Sequence, residues 1–225
     1  MRVLAVDVGG THVKILATGQ RERREFVSGP TLTAKQMIGQ VKALANDWQY
    51  DRATIGYPGP VVNGKPTAEP YNLGSGWVAF DYQQAFSCPV KIINDAAMQA
   101  LGSYEGGRML FLGLGTGLGS ALIVDGVLAP MELAHLPYLK GRTFEDYVGL
   151  RGLQRLGKKK WRIHVDDVIA RLKAALVADY VVLGGGNAKL LKELVQGVRL
   201  GENSNAFRGG QRLWGARRSG PSLER

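Results

Sequence analysis

The chain holds one cysteine, Cys88, among 225 residues, which excludes an internal disulfide and any multi-cysteine zinc site. Lying next to Pro89 in an apolar stretch, Cys88 reads as an inert buried thiol. Histidine is scarce too: His12, His135 and His164 are all there are. They lack ligand spacing and form no H-E-x-x-H pair, so no zinc is expected. No run approaches the roughly 18–20 apolar residues of a membrane span. Met1 leads directly into RVLAVDVGGTHV, with neither an apolar signal core nor a small-residue cleavage site, so a cytoplasmic protein without membrane association is expected. The Walker pattern, the dinucleotide fingerprint and the G-x-S-x-G elbow are missing, which removes P-loop, Rossmann and serine-hydrolase readings.

Acidic residues are outnumbered, 19 against 29 Lys and Arg, for a net charge of +10. That balance suits polyanions such as polyphosphate, nucleotides or nucleic acid; a plain basic surface is the alternative. The basic groups at 21–24, at Lys158-Lys159-Lys160-Trp161 and at Arg217-Arg218 carry no helix-turn-helix or RNA-binding aromatic signature, so no DNA partner is expected. With 45% apolar residues the chain can bury a real core. Its 31 glycines gather in short groups between apolar runs, as loops that approach a ligand closely would require.

RVLAVDV (2–8) and HVKILAT (12–18) read as strands joined by a glycine turn. Thr33 caps a helix through about Trp48, ATIGYPGPV (53–61) is a strand breaking into a Gly-Pro turn, and a short helix fits 81–86. VKIIN (90–94) is a buried strand, after which Asp95 opens a helix to about Tyr104. RMLFLGL and GLGSALIVDG (108–126) make a second hairpin around Gly115-Thr116-Gly117. Helices fit 144–156 and 163–177, then a strand at 179–186 and a helix at 187–195. The tail, 216–225, reads as disordered. The hairpins at 2–18 and 108–124 share one form, as two related halves facing a cleft would.

The glycines of Asp7-Val8-Gly9-Gly10-Thr11-His12-Val13-Lys14 expose backbone N–H groups to an anion, with Thr11 as a hydroxyl donor and Lys14 as a nearby cation. Asp7 suits an outer-shell Mg²⁺ contact, since that ion keeps its waters and takes few carboxylates. A tight hairpin that simply needs glycine is the other reading. Gly115, Thr116 and Gly117 repeat the device, and Gly184-Gly185-Gly186 offers a third close approach, to a nucleotide base or ribose. Asp95 is either a helix cap or a carboxylate placed to accept the proton of an attacking hydroxyl. Glu132 and His135, three apart, face one way in a helical turn, as sugar-holding groups do.

In order along the chain stand Asp-x-Gly-Gly-Thr-x-x-Lys (7–14), Gly-x-Pro-Gly-x-Val (56–61), Asn-Asp-Ala (94–96), Gly-Thr-Gly-x-Gly (115–119), Glu-x-x-His (132–135) and LGGGNAK (183–189). The set resembles the sugar kinases of the ROK group, closest to the polyphosphate/ATP-glucokinase branch, over about residues 2–214. The resemblance implies an α/β, two-lobed actin/hexokinase-like (ribonuclease H-like) fold with a central cleft. Its smaller lobe would be 1–93 and its larger lobe 94–215. It further implies phosphoryl transfer from polyphosphate or ATP, with Mg²⁺, to the 6-hydroxyl of glucose. Alternatives are another hexose or aminosugar as acceptor, or a weakly catalytic sugar-binding regulator; a homodimer is compatible. Asp95 would be the base, and Asn94, Glu132, His135 and Glu145 would hold the sugar. Gly9, Gly10, Thr11 and Lys14, with Gly115, Thr116 and Gly117, would cradle phosphates. Gly184, Gly185 and Gly186 would meet adenosine, and Asp7 would hold Mg²⁺ through water. The chain departs from the family in lacking a cysteine-rich zinc segment after Glu-x-x-His, in having Ala134 where glycine is usual, and in being short.

Overall fold

The structure is a computed structural model that describes residues 1–202 and 204–215; the tail expected at 216–225 lies outside the described residues. The first half runs β1 (Val3–Val8), β2 (His12–Ala17), β3 (Arg24–Val27), α1 (Ala34–Leu44), β4 (Arg52–Tyr57), a ribbon of β5 (Val61–Val62) and β6 (Lys65–Pro66), α2 (Tyr82–Phe86) and β7 (Val90–Asn94). Its five-stranded sheet has the order β3-β2-β1-β4-β7. Strands β1, β2 and β3 pair antiparallel, while β4 and β7 join in parallel. The VLAVDV run of β1 is apolar almost throughout because both of its faces are covered, as parallel pairing in a layered sheet demands.

The second half repeats this plan. It runs α3 (Asp95–Ser103), β8 (Arg108–Leu114), β9 (Leu118–Val124), β10 (Val127–Met131), α4 (Phe144–Val148), α5 (Leu150–Ala175), β11 (Tyr180–Gly184), β12 (Val198–Leu200) and α6 (Asn205–Gly215). Its sheet order, β10-β9-β8-β11-β12, matches the first position by position, with an antiparallel hairpin at one side and parallel strands at the other.

Helices α3 and α6 lie against each other and link the two halves. Their backbones approach so closely that a Cβ on Gly102 would fall 1.8 Å from the Asn205 carbonyl oxygen, and one on Gly209 1.8 Å from that of Met98. The terminal helix thus returns to the first sheet. The buried Thr54 hydroxyl donates to the Gly210 carbonyl (2.8 Å) and accepts from Trp214 Nε1 (2.8 Å).

Several expected elements change. The first helix stops at Leu44, where Ala45 already leaves helical geometry. The segment 144–156 is broken at Gly149, whose extended backbone lets Leu150 N–H reach the Thr116 carbonyl at 3.1 Å. The long helix after it breaks again at Gly157, where φ is 72°. In place of a helix over 187–195 there is a 3-10 turn, Gly186–Leu190, because Leu191 turns extended to lead the chain toward β12. β3, the β5–β6 ribbon, β10, β12 and α6 are elements that the sequence reading leaves out.

Candidate active site

Asp7 of β1 lies opposite Gly56 of β4, and Gly56 and Tyr57 lie opposite Ile93 and Asn94 of β7. Asp7 and the Asn94–Asp95 junction therefore sit at the carboxyl ends of parallel strands, where open α/β sheets place ligands. Gly56 leaves room for this. A Cβ there would stand 3.5 Å from Asp95 Cα and 2.4 Å from Met98 Cε.

The cap of α3 is Asn94 rather than Asp95. Asn94 Oδ1 accepts the Ala97 N–H (3.1 Å) while its Nδ2 donates to the Gly59 carbonyl (3.1 Å). One Nδ2 hydrogen of the two that an amide carries is left for another partner. Asp95 is the first helical residue, and its Oδ1 accepts the Ala96 N–H at 2.8 Å. Burial pushes the Asp95 carboxyl up to about 7; the Asp7 charge and, more weakly, Glu132 push the same way, against the Ala96 N–H. Asp7 is raised by burial as well, with the Lys14 and Arg23 cations holding it back. Lys14 is the cross-strand partner of Asp7, so its ammonium serves that carboxylate as well as any anion nearby.

The first glycine turn is closed by Gly9 N–H to the His12 carbonyl (3.0 Å) and clamped by Ser28, whose hydroxyl donates to the Gly9 carbonyl (2.7 Å) and whose N–H donates to that of Thr11 (2.9 Å). Thr11 is exposed. In the second turn Gly115 N–H donates to the Gly117 carbonyl (3.1 Å), and Asn187 Nδ2 donates to that of Gly115 (2.9 Å). Asn187 therefore ties the third glycine group to the second. Gly184 and Gly185 have packing reasons of their own. A Cβ on them would meet Phe111 Cζ at 2.4 Å and the Leu114 carbonyl oxygen at 2.3 Å, and Gly185 has φ +80°. Gly186 faces open space.

Glu132 and His135 are both exposed, Glu132 preceding the 3-10 turn Leu133–His135 and His135 closing it. Buried Ser120 holds that turn on β9, donating to the Met131 carbonyl (2.8 Å) and accepting the Leu133 N–H (3.2 Å). Ala134 packs its methyl into the core beneath the second sheet. Strand β9 also runs close to the start of α3, since a Cβ on Gly119 would be 2.9 Å from that of Ala96. This adjacency brings Glu132 within electrostatic reach of Asp95. Glu145 lies elsewhere in the site: its Oε2 accepts the Leu118 N–H (3.1 Å), beside the second glycine turn.

Ser28, Ser120 and Asn187 escape the sequence reading, because a serine or asparagine that bonds a distant carbonyl has no local pattern. A cavity of about 900 Å³ lies elsewhere, between Lys65, Phe80, Tyr82 and Ile92. Its one carboxylate, Asp81, is occupied in capping α2, so the chemistry is better placed at the strand ends. Among the described residues no group of three or more His, Cys, Asp or Glu side chains could hold a metal by itself, and no helix is long and apolar enough to cross a membrane.

Two sheets of the same order, each with a glycine-turn hairpin, define an actin/hexokinase-like fold. The structure matches that of an inorganic polyphosphate/ATP-glucomannokinase from Arthrobacter sp. strain KM, with TM-score 0.79 and 22% identity over 93% of this chain and 96% of that one. It also matches a ROK family glucokinase from Streptomyces griseus in complex with glucose and AMPPNP, with TM-score 0.75 and 15% identity over 95% of this chain and 99% of that one. The sequence profile of the ROK family matches residues 3–130, and the chain belongs to that family. Among curated relatives, the bifunctional enzyme NanE/NanK of Brucella melitensis is 34% identical over 145 residues, 56% of this chain; the chain spans only 27% of its length. The polyphosphate glucokinase of Mycobacterium tuberculosis is 27% identical over 208 residues, 80% of this chain and 76% of that protein.

Proposed function

We propose that this protein is a sugar kinase that transfers a phosphoryl group to the 6-hydroxyl of glucose or a closely related hexose, with inorganic polyphosphate as the favoured donor. The observation that carries the reading is the Asp95 carboxyl, raised to about 7 at the ends of parallel strands and flanked by glycine turns from both halves. A base of that pKa is matched to neutral pH. The sugar O6 gives its proton to Asp95 as the O6–P bond forms. The donor's bridging P–O bond breaks, and the donor leaves one phosphate shorter. Asn94 supplies a free amide hydrogen, and Glu132 and His135 supply exposed acceptors and donors for the other hydroxyls. The glycine turns at 9–11 and 115–117 hold the phosphates.

Burial disfavours ionisation of the Asp7 and Asp95 carboxyls, the Asp7 charge adding to this at Asp95, with Lys14 and Arg23 favouring the ionised form of Asp7; a hydrated divalent cation held by Asp7 through water would act in the same direction as those cations. Such an ion, when bound, neutralises charge on the transferring phosphates. The preference for polyphosphate is supported by the net charge of +10, which suits a long polyanion. The similarity to polyphosphate glucokinase also spans 208 residues, against 145 for NanE/NanK.

The test is sugar 6-phosphate formation with Mg²⁺, run with polyphosphate and with ATP, on glucose, mannose and N-acetylmannosamine. Faster turnover of glucose or mannose with polyphosphate, absent in Asp95→Asn, is expected. Faster turnover of N-acetylmannosamine would favour the aminosugar alternative, and faster turnover with ATP would refute the donor assignment.

A further inference from the structure

The residues between His135 and Glu145 bring Tyr138 into a polar cluster with α5 that phosphoryl transfer does not use. They fold back as a small hairpin: Pro137 bridges Thr143, Tyr138 N–H donates to the Arg142 carbonyl (2.8 Å), and Phe144 N–H donates to that of Leu136 (3.1 Å). Glu132 and His135 precede this hairpin and Glu145 follows it, so all three lie on the side of its open end, away from the 139–142 turn. Tyr138 points from it onto α5. Its hydroxyl lies 2.6 Å from Asp167 Oδ2 and 3.0 Å from His164 Nδ1, and Arg171 Nε donates to the same Asp167 oxygen at 2.8 Å.

Proton counting orients this chain of bonds. A phenol has one hydrogen, and the short contact to a carboxylate takes it. His164 must then donate Nδ1–H to the Tyr138 oxygen. Burial and the Arg155 cation hold the His164 imidazole below its usual pKa, against Asp167, so the neutral ring carries its single proton on Nδ1. The rings close the arrangement: Tyr138 meets Phe144 at 5.3 Å and Tyr147 at 5.0 Å, and Tyr147 meets His164 at 4.6 Å. Arg155 completes it by donating to the Asp146 carbonyl at 2.7 Å. The segment that carries Glu132, His135 and Glu145 is thus pinned to α5 by the bond Tyr138 donates to Asp167 and the one it accepts from His164.

We propose that Tyr138 and His164 are positioning residues for the sugar, setting acceptor affinity through the 132–145 segment without touching the reacting atoms. The proposal rests on the assignment of Glu132 and His135 to the sugar. Tyr138→Phe keeps the ring and deletes the bonds. His164→Asn keeps a donor near the Nδ1 position, whereas His164→Phe does not. The glucose Kd by calorimetry and the steady-state constants are measured on these variants, with Glu132→Gln as reference and melting temperature as control. Tyr138→Phe and His164→Phe are expected to raise glucose Kd and KM about tenfold, the worth of a hydrogen bond or two. Donor KM and kcat should stay within about twofold, and His164→Asn should restore affinity. If Glu132→Gln weakens glucose while Tyr138→Phe does not, the positioning role is refuted and the sugar site stands. If Glu132→Gln leaves glucose binding intact, the sugar site itself is misassigned and the proposal falls with it. A loss spread over kcat and both KM values, tracking a lower melting temperature, would reduce the cluster to plain stability.

Discussion

The Glu145 carboxylate occupies the space that a side chain at residue 117 would need: a Cβ on Gly117 would lie 2.3 Å from Glu145 Oε2. The same oxygen accepts the Leu118 N–H, so the glycine turn and the carboxylate hold each other. Gly117→Ala should push Glu145 off that N–H. A lost hydrogen bond to a charged group is worth about 1.5–3 kcal/mol, so the affected KM should rise roughly tenfold or more. Kinetics with each substrate varied in turn will show which one. A rise in sugar KM supports Glu145 as a sugar ligand, and a rise in donor KM alone assigns it to the phosphate turn.

Asp95→Asn keeps the shape and the contact to Ala96 N–H but removes the proton acceptor. Turnover should fall about 10²–10⁴-fold, the usual worth of a general base, with glucose binding largely kept. A variant retaining more than about a tenth of wild-type kcat would remove Asp95 from that role.

Folding lifts the Asp95 carboxyl from 3.8 to about 7, so the folded protein keeps a proton that the unfolded chain has given up. Its contribution to stability is complete below 3.8 and is lost as pH rises through 7. Activity runs the other way, because the base works ionised. The profile of kcat/KM should climb with unit slope up to about pH 7 and then level, while the urea midpoint declines over the same range. An acid limb near pH 4, the range of an unperturbed carboxylate, would contradict the burial of Asp95.

The contact between α3 and α6 has no room for a methyl group at Gly102. Gly102→Ala must part the helices, at a cost of about 3 kcal/mol as for an overpacked core. For a chain of this size that lowers the melting temperature by roughly 6–12 °C. Gly39→Ala is the control. Gly39 lies in α1 with nothing within 4 Å of its would-be Cβ, so the helix should gain about 0.5–1 kcal/mol. Equal effects in both variants would mean that the helix contact is looser than it stands here.

Local signals were enough for the strand, glycine turn and strand of each half, for α1 behind Thr33, and for Asp95 directly after the strand at 90–94, although that strand lies at the sheet edge with only Ile93 buried rather than being buried throughout. Apolar runs, caps and turn residues act over a few positions, and these elements depend on little else. The order of the motifs likewise led to the family and the fold. Reading 187–195 as a helix failed because the chain there must leave β11 to form β12, a parallel pairing that no local propensity encodes. The helix expected at 144–156 was divided for a similar reason, since Gly149 opens to let Leu150 bond Thr116 in a different hairpin. Long-range packing alone decided the rest: Ser120 under the Glu132–His135 turn, Asn187 on Gly115, Tyr138 on His164, and α6 folded back onto Thr54. The pKa of Asp95 belongs to the same group, because it depends on Asp7 and Glu132, brought together from distant stretches of chain. Sequence determined which elements form and which chemical groups are available. Tertiary structure decided which groups meet, because burial and hydrogen bonding act through space rather than along the chain.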